Sequence, residues 1–302
     1  MRHFLELSDW SSLELRHLIE LAVHLKMEWR ASGNKPVLAG KTLGMVFQKP
    51  SLRTRVSFDV GMQHLGGHAI MLGPEEIGLG KRESIADVAR VLSGYVQGIM
   101  ARVFAHAHVT ELACWSSVPV INGLSDDSHP CQALTDILTI YEHFGHTEGL
   151  KLAFIGDGNN VAASLALACA HFGIDFTIAS PEGYELPAKV VKAAQACGSI
   201  TIQQLRDPVE AVQHANIVYT DTWVSMGQEG EANERLNAFQ PYQVNTGLMA
   251  QAGKQTIVMH DLPAYRGKEI TDEVADGPQS VIFQQAENRL HAQKALLVHL
   301  MA

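Results

Sequence analysis

The chain has 302 residues, 46% hydrophobic and 18% charged, with a formal net charge of −9. That length allows two domains of about 150 residues, each with its own core. No run approaches the roughly 18 to 20 apolar residues of a membrane helix, and an acidic balance disfavours general nucleic-acid binding, which needs a basic face.

The start, MRHFLELSDWSSLEL, carries Glu6 and Asp9 where a secretory signal needs an apolar core. A cytoplasmic protein is therefore expected. Cys114, Cys131, Cys169 and Cys197 are widely and irregularly spaced, so reduced core thiols are expected rather than disulfides or zinc. The histidines include no HExxH and no tight cluster, and no metal is expected.

Residues 4–31 read as a helix, followed by a turn and a short buried strand to Phe47. Pro50 and Ser51 open the next helix, and Leu52, Val56 and Val60 mark one apolar face of it. A strand follows at 68–72, a Gly-rich loop at 73–80, a helix at about 83–95 and a strand at 98–103. The strand Val118–Asn122 is expected to end in an Asn122-Gly123 turn. A long helix from His129-Pro130 is a candidate bridge between domains. Beyond it, strands are expected at 152–155, 176–179, 199–202, 217–220 and 256–259, with a small-residue helix at 162–171. Strands alternating with helices imply parallel sheets. The expected fold is α/β: two doubly wound parallel-sheet domains with a cleft between them, and a C-terminal helix packing back on the first. The expected domains are 1–133 with about 285–302, and 134–284.

The segment Phe47-Gln48-Lys49-Pro50-Ser51-Leu52-Arg53-Thr54-Arg55 has the strongest chemical character. A helix start offers free N–H groups and the positive end of a dipole to an anion. Arginine adds a fork that matches phosphate oxygens. In Asp127-Ser128-His129-Pro130-Cys131-Gln132, His129 and Gln132 share one face of a first turn and could hold a carbonyl oxygen. Asp221-Thr222-Trp223-Val224-Ser225-Met226-Gly227 puts a carboxylate after a strand, which suits an amine. Met259-His260-Asp261-Leu262-Pro263 also follows a strand. Gly156-Asp157-Gly158-Asn159-Asn160 lacks the third glycine of a dinucleotide motif, and no acid ends the next strand.

Taken in order, KPSLRTRVSF, ARVF, INGLSDDSHPCQALTD, DTWVSMG, HDLPAYRG and QAENRLHAQK resemble the ornithine carbamoyltransferases over nearly the full length. The resemblance implies an N-terminal domain for carbamoyl phosphate, a C-terminal domain for the amino acid, and a homotrimer or multiple of trimers. It implies no cofactor. Ser51, Leu52, Arg53, Thr54 and Arg55 resemble the phosphate-binding set. Arg102, His129 and Gln132 resemble the groups at the carbamoyl end, and Arg289 the C-terminal arginine near carbamoyl phosphate. Leu262 resembles the residue whose carbonyl meets the carbamoyl nitrogen. Asn160, Asp221, Ser225 and Met226 resemble the L-ornithine-binding set. The implied reaction is attack of a neutral amine on the carbamoyl carbon, with Arg55, Arg102 and His129 stabilising the oxyanion.

Two positions depart from the pattern. The family usually reads His-Cys-Leu-Pro, where this chain has Asp261, grouped here with the catalytic residues. A carboxylate beside Asp221 would hold an ammonium in its unreactive state, unless like charges leave one acid protonated. Either the acceptor is a different amine, the rate is altered, or Asp261 points elsewhere. Relatives commonly carry Gln at the position of Gly78, a role Lys81 could assume. A catalytically weak carbamoyl-phosphate-binding paralogue is the competing reading. The aspartate branch fits less well, because its acceptor calls for basic groups where Asp221 stands.

Overall fold

A computed structural model describes residues 1–302 as two units, Met1–Leu138 with Glu287–Ala302 and Thr139–Ala286. In the first unit β1 (Thr42–Phe47), β2 (His68–Leu72), β3 (Gly98–Arg102) and β4 (Val120–Leu124) form a parallel sheet in the order β2-β1-β3-β4. Its helices are α1 (Ser12–Ser32), α2 (Leu52–His64), α3 (Pro74–Ile77), α4 (Ile85–Ser93) and α5 (His106–Trp115). The unit boundary falls inside α6 (Pro130–Phe144).

The second unit carries β5 (Lys151–Ile155), α7 (Asn160–Phe172), β6 (Asp175–Ala179), α8 (Ala188–Cys197), β7 (Ile202–Leu205), α9 (Pro208–Val212), β8 (Ile217–Thr220), α10 (Ala232–Phe239), α11 (Thr246–Met249), β9 (Ile257–His260) and α12 (Asp272–Ala275). Its sheet is parallel, in the order β7-β6-β5-β8-β9. The last helix, α13 (Ile282–Met301), belongs to the first unit from Glu287 onward. Every residue of β3, β8 and β9 is buried, as expected for parallel strands covered on both faces. No helix is long and apolar enough to cross a membrane.

Within the first unit, α13 docks by satisfied polar contacts as well as apolar ones. Buried Lys26 Nζ donates to Asn288 Oδ1 at 2.6 Å, and buried Lys294 Nζ donates to Asn34 Oδ1 at 2.6 Å. An amine without such a partner would be costly to bury. Burial still pushes the Lys294 ammonium down to about 8.

Local tertiary pairing overturns several sequence expectations. The first helix starts at Ser12, not at residue 4. Ser11 and Glu14 form a reciprocal capping box, and Phe4 instead extends the sheet edge, donating to Val120 O at 2.9 Å. The Asn122-Gly123 pair is not a turn. β4 runs on to Leu124 past a bulge at Ala101/Arg102, and Asn122 is a buried anchor donating to Leu5 O at 3.0 Å. The 199–202 strand is shifted to Ile202–Leu205, because pairing with β6 sets Ile202 opposite Phe176. The loop at 73–80 includes the short helix α3. Cys114 is exposed rather than a core thiol.

The apolar stripe on α2 is the largest reversal. Leu52 is 74% and Val56 48% exposed, whereas Phe58 and Met62 are fully buried. The inward face carries Thr54, Ser57, Phe58, Gly61 and Met62, and Gly61 lies against Lys294, Leu297 and Leu290 of α13. Spacing finds a helical face, but packing decides which face turns inward. Phe58→Ala is expected to lower stability by about 3–5 kcal/mol. Leu13→Ala, at a site 79% exposed, should stay within about 0.5 kcal/mol of the native chain in urea unfolding. Equal losses would contradict this assignment of the core.

Candidate active site

In an open α/β sheet, ligands gather at the carboxyl ends of strands where the strand order reverses. In the first unit that point lies between β1 and β3. The chain leaves β1 for β2 on one side and returns to β3 on the other. Phe47, which ends β1, pairs with Arg102, which ends β3, and Gln48 N donates to Arg102 O at 2.8 Å. Gln48 Oε1 accepts from Phe104 N at 3.0 Å, and Lys49 Nζ meets Asp126 Oδ1 at 2.5 Å. These contacts fix the approach to α2. Ser51 caps α2, its hydroxyl accepting from Thr54 N at 3.2 Å, and so opens the helix over Leu52, Arg53 and Thr54.

Arg289 of α13 ties this corner to the next helix start. Its Nη1 donates to Gln132 Oε1 at 2.7 Å and its Nη2 to Thr54 Oγ1 at 3.1 Å. Gln132 Nε2 in turn donates to Asp136 Oδ1 at 2.8 Å, which fixes the orientation of the amide. His129 stands immediately before α6 and is buried. Burial holds its imidazole well below the usual histidine value, and the positive charges of Arg289, Arg102 and Arg53 add to that effect. A neutral imidazole amid three guanidiniums can donate one N–H to an oxygen while the cations draw in an anion. The first unit thus brings Ser51, Arg53, Thr54, Arg102, His129, Gln132 and Arg289 together. Arg55 and Leu52 lie on the exposed side of the first turn of α2, so Leu52 contributes only backbone.

Gly78 ends α3 in the left-handed region at φ 57°, and a Cβ there would sit 2.7 Å from that of Arg82. A longer side chain is therefore disfavoured at this position. Lys81, exposed, joins Phe47, Gln48, Ile77, Leu79 and Phe104 around a cavity of about 160 Å³.

In the second unit the strand order reverses between β5 and β8. Asp221 follows β8, and Asn159 and Asn160 follow β5. Asn159, which sequence reasoning passed over for its neighbour, caps α7 and donates Nδ2 to Asp221 Oδ2 at 2.8 Å. Asp221 Oδ1 also accepts from Thr222 N at 2.6 Å. The Asn159-Asn160 doublet was the only sequence signal for this partner. Gly158 packs its backbone against residues 184–186, where a Cβ would come within 2.4 Å of Glu185 C. The motif is a tight turn that aims Asn159. Ser225 lies on the following loop, its N–H held by Gln228 Oε1 at 3.0 Å, and Met226 is exposed there.

Asp261 does not point away. Carboxylate oxygens of Asp221 and Asp261 and a ring nitrogen of His260 lie within 4.8 Å of one another. Three such groups can suggest a metal, but His260 has no lone pair left for one. Its Nδ1 accepts from Leu262 N at 2.9 Å, so Nε2 carries the proton and faces Glu269 Oε1 at 3.2 Å. The arrangement suits a cation that brings its own hydrogens. Leu262 adopts a left-handed φ of 57°, rare for a residue with a side chain, and precedes a cis proline bond.

The state of His129 can be tested directly. The folded imidazole binds its proton more weakly than the unfolded one. As pH falls below the unfolded value near 6.5, the unfolded chain gains a proton first and the fold loses stability. Nitrogen NMR should find His129 neutral at pH 6, and His129→Gln should flatten the fall in stability below that pH. A protonated ring at pH 6 would sink the assignment.

Comparison with known proteins agrees with this geometry. Residues 2–142 match the model of the aspartate/ornithine carbamoyltransferase carbamoyl-P binding domain, and residues 148–300 that of the Asp/Orn binding domain. The ornithine carbamoyltransferase of Anoxybacillus flavithermus is 54% identical, over 99% of this chain and 96% of the relative. The anabolic ornithine carbamoyltransferase of Pyrococcus furiosus is 53% identical, over 99% of this chain and 96% of its own. Among solved structures, ornithine carbamoyltransferase from Pyrococcus furiosus superposes with a TM-score of 0.97 at 51% identity, covering 99% and 97% of the two chains. That from Thermus thermophilus superposes at 0.90 and 43% identity, covering 99% and 98%. The chain belongs to the aspartate/ornithine carbamoyltransferase family.

Proposed function

We propose that this protein transfers the carbamoyl group of carbamoyl phosphate to the side-chain amine of L-ornithine, giving L-citrulline and phosphate. The observation that carries the reading is the Arg289 fork joining Thr54 and Gln132, beside the start of α2 and the neutral His129. Phosphate would sit on the helix N-terminus at Ser51–Arg55, with Arg53 and Arg55 adding charge. Arg102, His129 and Gln132 would take the carbamoyl end, and the Leu262 carbonyl its nitrogen. Asn160, Asp221, Ser225 and Met226 would take ornithine.

The neutral amine attacks the carbamoyl carbon and forms the new C–N bond. The carbonyl electrons move onto oxygen, where Arg102 and His129 stabilise the oxyanion; Arg55, on the exposed side of α2, is left with the phosphate end. The C–O bond to phosphate then breaks, phosphate leaves with its electron pair, and the nitrogen sheds a proton. Holding two substrates in line supplies much of the rate. Asp221 and Asp261 orient the incoming ammonium, but two nearby carboxylates also make it harder to deprotonate. A homotrimer is part of the proposal. The exposed apolar side chains of Leu52 and Val56 beside the phosphate-binding set support an association surface there.

Citrulline formation assayed across a panel of amines should show ornithine turned over well above the rest. Turnover of another amine in preference would replace the acceptor, and none at all despite carbamoyl phosphate binding would leave only a binding protein. Asp261→Cys, or the neutral isostere Asp261→Asn, should raise ornithine turnover severalfold near pH 7 and move the rising limb of the pH profile downward. An unmoved limb would show that Asp261 does not sit at the reacting nitrogen. Sedimentation should give the mass of three chains of 33.0 kDa each, and a monomer would refute the trimer.

A further inference from the structure

Arg235 of α10 is a buried cation that none of the steps above uses. It is 3% exposed. Its Nε donates to Trp223 O at 2.6 Å, and its Nη2 is ion-paired with the Asp157 carboxylate. The guanidinium also lies over the Tyr184 ring at 4.8 Å and the Phe239 ring at 5.5 Å. Trp223 is itself buried and stacks on Phe239 at 6.1 Å and 22°.

These contacts join two loops. Trp223 lies two residues beyond Asp221, on the segment that carries Ser225 and Met226. Asp157 lies two residues before Asn159, whose amide holds Asp221 at 2.8 Å. A ring of contacts therefore runs from Arg235 to Asp157, along the β5–α7 turn to Asn159, across to Asp221, and through Trp223 back to Arg235. We propose that Arg235 and Asp157 are positioning residues for the amine-acceptor site, locking the loop after β5 and the loop after β8 into one register around Asp221. The proposal rests on reading this unit as the ornithine side.

Only arginine fits the junction. The fork must satisfy a carbonyl and a carboxylate at once while lying over the adjoining Tyr184 and Phe239 rings, whereas a lysine ammonium is a point charge that cannot do all three. Burial pushes the Asp157 carboxyl up to about 6, against the pull of Arg235 and with Asp221 and Glu231 opposing its ionisation.

The test compares the native full chain with Arg235→Lys and Asp157→Asn by steady-state kinetics, carbamoyl phosphate binding and hydrogen exchange. Either variant should raise the KM for ornithine tenfold or more, with carbamoyl phosphate affinity within twofold of native. The double variant should be little worse than either single one, because both break the same link. Exchange should quicken in residues 156–160 and 222–231 and not elsewhere. An ornithine KM within twofold of native, or an equal loss of carbamoyl phosphate affinity, would overturn the proposal. If the native protein turns over no ornithine, the functional reading fails on its own. The exchange result then decides the positioning role: quickening confined to those two segments sustains it, and unchanged or global quickening rejects it.

Discussion

Parallel strands all present their carboxyl ends at the same edge of a sheet, and that constraint organises everything else in this molecule. Where the strand order reverses, no crossover covers the edge, and side chains from non-consecutive loops meet there. In the first sheet the reversal brings the end of β1, the end of β3 and the start of α2 to one place. In the second it brings Asn159 and Asp221 together, from turns more than sixty residues apart. Remove the reversal, and the polar groups of both units scatter along separate loops.

The two sites use different electrostatics, each fitted to one charge. In the first unit burial, with the charges of Arg289, Arg102 and Arg53 adding to it, keeps the His129 imidazole neutral, so it can act as a donor without adding another charge. Helix N-termini and arginine forks then supply the field an anion needs. In the second unit carboxylates dominate, and the one imidazole among them is fully used. His260 spends one nitrogen on the Leu262 backbone and turns the other to Glu269. A hydrogen-bearing cation suits that pocket better than a bare metal ion.

Support behind each site matters as much as the groups that would touch substrate. Arg289 holds Thr54 and Gln132 in place, Asp136 orients the Gln132 amide, and Lys49 with Asp126 steadies the approach to α2. Asn159, and behind it the Arg235–Asp157 pair, do the same for Asp221. Such groups hold one another through side-chain hydrogen bonds and ion pairs, the kind of support that preorganised catalysis needs.

The sequence by itself determined the class of fold, because alternating apolar runs and helical segments leave few arrangements other than parallel sheets. It also marked the helix starts at Ser51 and at His129-Pro130 and the carboxylate at Asp221, since capping and first-turn chemistry act locally. Tertiary structure decided the rest. Leu52 and Val56 share a periodic face, yet α2 buries Thr54 and Phe58, because α13 packs against that other side. Asn122-Gly123 has turn chemistry, yet pairing with β3 keeps it in a strand. Asn159 and Asn160 look alike in the chain, and only the fold shows which one grips Asp221. Asp261 could have faced anywhere on its loop until the strand order placed β9 beside β8 and brought its carboxylate to that of Asp221. Each of these outcomes depends on contacts between residues distant in sequence, which spacing and propensity do not encode.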